Sequence, residues 1–156
     1  MQIDFNPETD LRIEKRMRAK PETIWRCWEE PDLFKQWFTP PTVDVLDVEN
    51  ILEPGGRSYV KMGLPDGAEI PLEGCFIHVD RPRLLVYGDA MTAGFRPANE
   101  PFMTTIVETI AEAEGTLYRA TVLHVDGAAR KKHEDMGFHE GWGTTFEQLA
   151  TLVEAL

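Results

Sequence analysis

The most restrictive feature of this sequence is a change of hydrophobic period. Between residues 43 and 124, apolar side chains recur at every second position in runs broken by Pro, Gly and Asp. After Gly127 the spacing lengthens: Trp142, Phe146, Leu149 and Val153 stand at i, i+4, i+7 and i+11, and Thr145, Leu152 and Leu156 widen the stripe. Period two describes a strand with one wet face, and a period near 3.6 describes an amphipathic helix. A block of strands followed by a long helix must bury the helix stripe on the sheet.

Turn chemistry divides the block into six expected strands, over 43–50, 57–62, 68–79, 84–87, 102–110 and 116–125. Glu53-Pro54-Gly55-Gly56, Leu64-Pro65-Asp66-Gly67, Asp80-Arg81-Pro82-Arg83 and Ala113-Glu114-Gly115 lie between neighbouring runs. Pro71 and Gly74 are the expected sites of a bulge in the long run 68–79. No helix fits between these strands, so they form an antiparallel meander and not a parallel sheet.

Upstream, residues 11–18 alternate as a further strand: Leu11, Ile13 and Met17 on one side, charges on the other, with Lys15 out of place on the apolar side. Pro21 and Pro31 then suit the first turns of two short helices. Ile24, Trp25 and Trp28 form the stripe of one; Leu33, Phe34, Trp37 and Phe38 form that of the other, which Thr39-Pro40-Pro41 ends. The last helix is expected over 129–155, with Gly137, Gly141 and Gly143 as its weak region. The order is β, α, α, six strands, α. This is an α+β chain expected to form one domain over 1–156, with a loose start over 1–10.

At 42% hydrophobic, such a chain can build a core without disulfide or metal staples. Its 16 Lys and Arg against 27 Asp and Glu leave a net charge of −11. That field repels phosphate backbones and anionic lipid, so neither nucleic acid nor a membrane surface is an expected partner. Cys27 and Cys75 are isolated and make no disulfide framework. No signal-like start and no apolar run of about 20 residues occurs, and a cytoplasmic location is the expectation.

Three segments carry a family resemblance: AKPETIWRCWEEPDLFKQWF (19–38), EPGGRSYVKMGLPDGAEIPLEGCFIHVDRPRLLVY (53–87) and GFHEGWGTTFEQLATLVEAL (137–156). The Pro-x-x-x-Trp helix start, the Gly-Gly-Arg turn, the Pro-Asp-Gly hairpin and the Gly-Trp of the last helix occur in order. Together they resemble the START-like (SRPBCC, Bet v 1-like) superfamily, which also holds the major birch pollen allergen and the polyketide cyclases. Within it, the chain is similar to the domain family named after the activator of the heat-shock-protein-ninety ATPase. The resemblance implies a helix-grip fold: a curved six- or seven-stranded antiparallel sheet around the C-terminal helix, with a cavity between. It implies little about function. The chaperone co-factor behind the family name has a further N-terminal domain without counterpart in this sequence, and ATPase activation is not carried over.

The chemistry-bearing residues are sparse. His133-Glu134 begins like a zinc-helix motif, but Gly137 stands where the second histidine is required. His133 and His139 are six apart, on different faces of a helix. Structural or solvated roles are expected for these and for His124. Ser58 is the only serine and lies in no nucleophile elbow. Cys27, between Trp25 and Trp28, and Cys75, on a strand, read as buried inert thiols. Gly55-Gly56 lacks the lysine of a phosphate loop, and no cofactor motif or metal-ligand set is found.

What remains is an aromatic and methionine set expected to face a cavity: Trp37, Tyr59, Met62, Phe76, His78, Tyr87, Met103, Trp142 and Phe146. Tyr59, His78 and Tyr87 would be its polar groups, and the loop 88–101 would cover its mouth. The expected ligand is a small apolar or aromatic molecule. Two alternatives stay open. One is a cyclase- or hydrolase-like enzyme using His78, His124 or Glu140 with Tyr59 or Tyr87. The other is an interaction protein, either a chaperone partner or a homodimer joined through the 88–101 loop and a sheet edge.

Overall fold

The structure is a computed structural model that describes residues 3–156. Its elements run β1 (Asp10–Met17), α1 (Pro21–Glu29), α2 (Pro31–Phe34), β2 (Asp44–Asn50), β3 (Arg57–Gly63), β4 (Glu69–Asp80), β5 (Leu84–Gly88), β6 (Met91–Thr92), β7 (Arg96–Pro97), β8 (Thr104–Glu112), β9 (Gly115–Leu123), α3 (Gly127–Asp135) and α4 (Phe138–Ala155). Seven strands form one curved antiparallel sheet in the order β1-β9-β8-β5-β4-β3-β2. Strands β6 and β7 make a separate two-stranded ribbon within the 88–101 segment. Residues 1 and 2 of the expected loose start lie outside the described residues. Asn6 to Asp10 form a turn, closed by the Asp10 N–H on the Asn6 carbonyl at 2.8 Å.

Cross-strand pairing sorts the side chains onto two faces. The inner face carries Leu11, Ile13 and Met17 on β1, Tyr118, Ala120 and Val122 on β9, Thr105, Val107 and Thr109 on β8, and Leu85 and Tyr87 on β5. Helix α4 lies across this face and buries Phe146, Leu149 and Val153 on it. Lys15 shares the inner face, opposite Tyr118, and reaches the rim of α4 to pair with Glu147 at 2.9 Å. That contact accounts for its break in the alternation.

Two expectations need correction. The helix over 129–155 is two helices. Gly137 takes a left-handed φ of 93°, ends α3 and starts α4, a conformation that glycine adopts without steric cost. Asp126 begins α3 by accepting the Ala129 N–H at 2.8 Å, which satisfies one orphan donor of the helix start. The bulge of β4 lies at neither Pro71 nor Gly74. Phe76 pairs with Tyr87 and His78 with Val86, so the extra residue is Ile77. The face of β4 reverses there.

The helices α1 and α2 close one end of the sheet. Trp28 meets Trp37, Phe34, Phe38 and Tyr87, with ring centroids 5.2–6.0 Å apart. Each indole N–H of this cluster has a partner: Trp25 on Thr109 Oγ1 at 2.9 Å, Trp28 on the Tyr118 hydroxyl at 3.0 Å, and Trp37 on the Cys27 carbonyl at 2.9 Å. Aromatic area and satisfied polar tips together hold this part of the core.

Candidate functional site

The other end of the inner face does not close. A pocket of about 680 Å³ lies between the sheet, α4 and the 88–103 segment, a volume within the range of small-molecule sites. Trp28, Trp37, Tyr87, Val107, Tyr118 and Ala120 form its floor, and Phe138, Gly141, Trp142, Thr145 and Phe146 form the α4 wall. Phe102, Met103 and the ribbon residues Thr92 and Ala98 form a third side. The ribbon is held by the Gly94 N–H on the Gly55 carbonyl at 2.8 Å, and Asp89 Oδ1 accepts the N–H groups of Phe102 and Met103 at 2.8 and 3.0 Å. The segment expected to form a mouth cover therefore builds a wall.

Polar groups meet this apolar space at two ends. At the floor, the Tyr118 hydroxyl accepts the Trp28 N–H and keeps its own proton unspent. Burial pushes the Tyr118 phenol well above its usual pKa, with the nearby Tyr87 adding to the effect. The Tyr87 phenol is also raised by burial. Thr105 lies close enough to oppose this in part, yet outside hydrogen-bond geometry. Both phenols stay protonated donors. Thr105 Oγ1 is the one sealed side-chain polar atom without a hydrogen bond among the described residues.

At the far end stands a histidine pair. His124 follows β9 and bonds the Thr9 carbonyl through Nδ1 at 2.9 Å, while its Nε2 meets His133 Nδ1 at 2.9 Å. Both rings are buried. His133 is packed among Phe102, Phe138 and Trp142, at centroid distances of 4.8, 5.1 and 6.1 Å. Burial, and secondarily the neighbouring His124, push the His133 pKa down to about 4, so its neutral form is the resting one. The sequence reading marked both histidines but paired neither. The residue that holds the other side of the His124 ring is Thr9, more than 100 positions away.

Of the nine residues expected to line a cavity, Trp37, Tyr87, Met103, Trp142 and Phe146 lie on this pocket. Four do not. Tyr59 pairs with Glu49 and so lies on the outer face, opposite to that of Val60, with the Arg57 guanidinium 3.9 Å over its ring. Met62 is on the inner face but packs on the core beside Val45 and Val48. Phe76 is sealed within the core against Tyr87. His78 is exposed, because the bulge at Ile77 turns it outward with Val86. Glu140 is exposed, and His139 pairs with Glu134 at 3.0 Å on the surface. Cys27 and Cys75 are buried free thiols, and burial raises the Cys27 pKa to about 11. No group of three or more metal-ligating side chains occurs among the described residues. No helix among them is long and apolar enough to cross a membrane.

Comparison with known proteins agrees with this architecture. The chain belongs to the family described as Activator of Hsp90 ATPase homolog 1-like protein, whose model matches residues 18–154. A crystal structure of a Nitrosomonas europaea protein is similar to it at 37% identity and a TM-score of 0.93, covering 97% of each chain. A Rhodobacter sphaeroides protein shares the fold at 18% identity and a TM-score of 0.84, over 99% of this chain and 98% of that one. So does an AHSA1-like protein from Aeromonas hydrophila, at 21% identity and a TM-score of 0.71, over 94% and 92%. No curated protein matches the chain significantly. The fold is compatible with a ligand-binding or a chaperone-type role.

Proposed function

We propose that this protein binds a small, largely apolar molecule in the pocket between the sheet, α4 and the 88–103 segment. The supporting observation is the contrast between its two ends. One end of the inner face is filled by interlocking aromatic rings, whereas the other leaves about 680 Å³ unfilled beside unspent polar groups. A void of that size forgoes contacts a core would otherwise gain. An apolar wall with a few convergent polar groups is the usual character of a ligand site. The groups that would anchor a ligand are the Tyr87 and Tyr118 hydroxyls and the His133 imidazole.

Catalysis has less support. Tyr59 and His78 face away from the pocket, Glu140 is exposed and does not line it, and His124 stands behind His133. Native mass spectrometry of gently purified protein, repeated after denaturation, tests the proposal. A bound mass lost on denaturation is expected. A bare mass, together with no saturable binding of the apolar fluorophore N-phenyl-1-naphthylamine, would overturn it.

A further inference from the structure

The histidine pair fixes the protons of the pocket. A carbonyl oxygen only accepts, so the 2.9 Å contact of His124 Nδ1 with Thr9 requires a proton on Nδ1. In the neutral ring, His124 Nε2 then carries a lone pair. The 2.9 Å contact between His124 Nε2 and His133 Nδ1 is a hydrogen bond only if His133 donates from Nδ1. The opposite assignment would set two lone pairs against each other. It follows that His133 Nε2 is bare, a tautomer fixed by the network around it.

That lone pair has no protein donor. No hydrogen bond reaches His133 Nε2, and it is not among the sealed atoms left without a partner, which are Thr105 Oγ1 alone among the described residues. It therefore keeps open surface, on a ring that lines the pocket beside Phe102, Phe138 and Trp142. The chain's net charge of −11 and the lone pair itself both disfavour an anionic oxygen there. A neutral hydroxyl is complementary on both counts.

We propose that His133 Nε2 accepts a hydrogen bond from a hydroxyl group of the bound molecule, so that the ligand is a neutral phenol or alcohol with an apolar body. This rests on the pocket being a ligand site. His124 is then a positioning residue: it touches no ligand and holds His133 in the accepting tautomer by passing the Thr9 carbonyl's demand along the chain. The Tyr118 hydroxyl belongs to the opposite end, six residues back along β9 from His124, or roughly 20 Å of strand.

Fluorescence titration with 1-hydroxypyrene, 1-methoxypyrene and pyrene separates the two levels of the argument. The three probes share one apolar body, and only the first donates a hydrogen bond. The wild-type protein should bind 1-hydroxypyrene several-fold to about tenfold more tightly than the other two, the range of one neutral hydrogen bond. In His133→Phe that preference should shrink to within about twofold, while pyrene binding is retained. Equal binding of all three by the wild type would overturn the His133 assignment and leave the pocket reading standing. Binding of none of them would overturn both. If His133→Phe does not fold, ¹⁵N NMR of the wild-type imidazoles decides. His133 Nε2 should show an unprotonated resonance that moves on adding 1-hydroxypyrene and not on adding 1-methoxypyrene. A protonated Nε2 in the free protein would overturn the proposal.

Discussion

The two halves of α4 lie on the same sheet and are built to opposite specifications. Its C-terminal half buries Leu149, Ala150 and Val153 among Ile24, Trp25 and Met17, in a region where the indole N–H groups are all bonded. Its N-terminal half presents Gly141, Trp142 and Thr145 to the open volume of a pocket that also holds a bare imidazole nitrogen and the unspent Tyr118 phenol proton. Hydrophobic burial and satisfied polar tips fix the first half in place. The second half forgoes some of that stabilisation, and a group left unpaired beside a pocket is one a ligand can satisfy. On the proposed function, stability and recognition are divided along one helix, which allows each to be perturbed without the other.

The largest expected effect tests that division directly. Leu149→Ala removes a fully sealed side chain and should cost about 2–5 kcal/mol in urea denaturation. Trp142→Ala removes a larger side chain, yet one that is only half-buried on the pocket wall. Its cost should fall well below the ~3–5 kcal/mol of a packed tryptophan, while probe binding weakens. A Trp142→Ala loss as large as that of Leu149→Ala would mean that this half is packed core too.

The next effect belongs to His133. The unfolded chain takes up a proton on this ring near pH 6.5, and the native state only near 4. Between these values the unfolded state binds more protons, so native stability is complete above about pH 6.5 and falls as the pH drops toward 4. At ~1.4 kcal/mol per unit the loss is up to about 3 kcal/mol. The stability difference between wild type and His133→Phe should therefore shift against the wild type across that window. A difference constant from pH 7 to 4 would show that His133 is not buried in its neutral form.

The sheet and its order of elements are legible in the sequence because alternation and turn chemistry are local. Strands β1, β3 and β9 lie within two residues of their expected bounds. The site is legible only in part, because its facing depends on single residues. Tyr59 and Met62 are three apart on one strand and cannot share a face, so only one of them can face a cavity. Phe76 and His78 are two apart and would share a face but for the bulge at Ile77, which no Gly or Pro marks. The inward facing of Tyr118 is legible too, since alternation within 116–125 places it with Ala120 and Val122. The His124–His133 contact is beyond local reading, because it depends on α3 folding back onto the end of β9 and on Thr9 arriving from the turn before β1.

The smallest effect gives the sharpest comparison, because it holds chemistry and helix constant. A Cβ added at Gly141 or at Gly143 would meet nothing within 4 Å. Both glycines sit inside α4, where glycine costs roughly 0.5–1 kcal/mol against alanine. Gly141→Ala and Gly143→Ala should therefore each raise stability by about that amount. Only Gly141 lines the pocket. Its new methyl group would project into the open volume, so Gly141→Ala should weaken binding of 1-hydroxypyrene, while Gly143→Ala leaves it unchanged. Equal stabilisation with divided binding would locate the ligand against the N-terminal half of α4. If both variants bind as the wild type does, the ligand does not rest on that wall. If Gly141→Ala destabilises, the space beside it is not open.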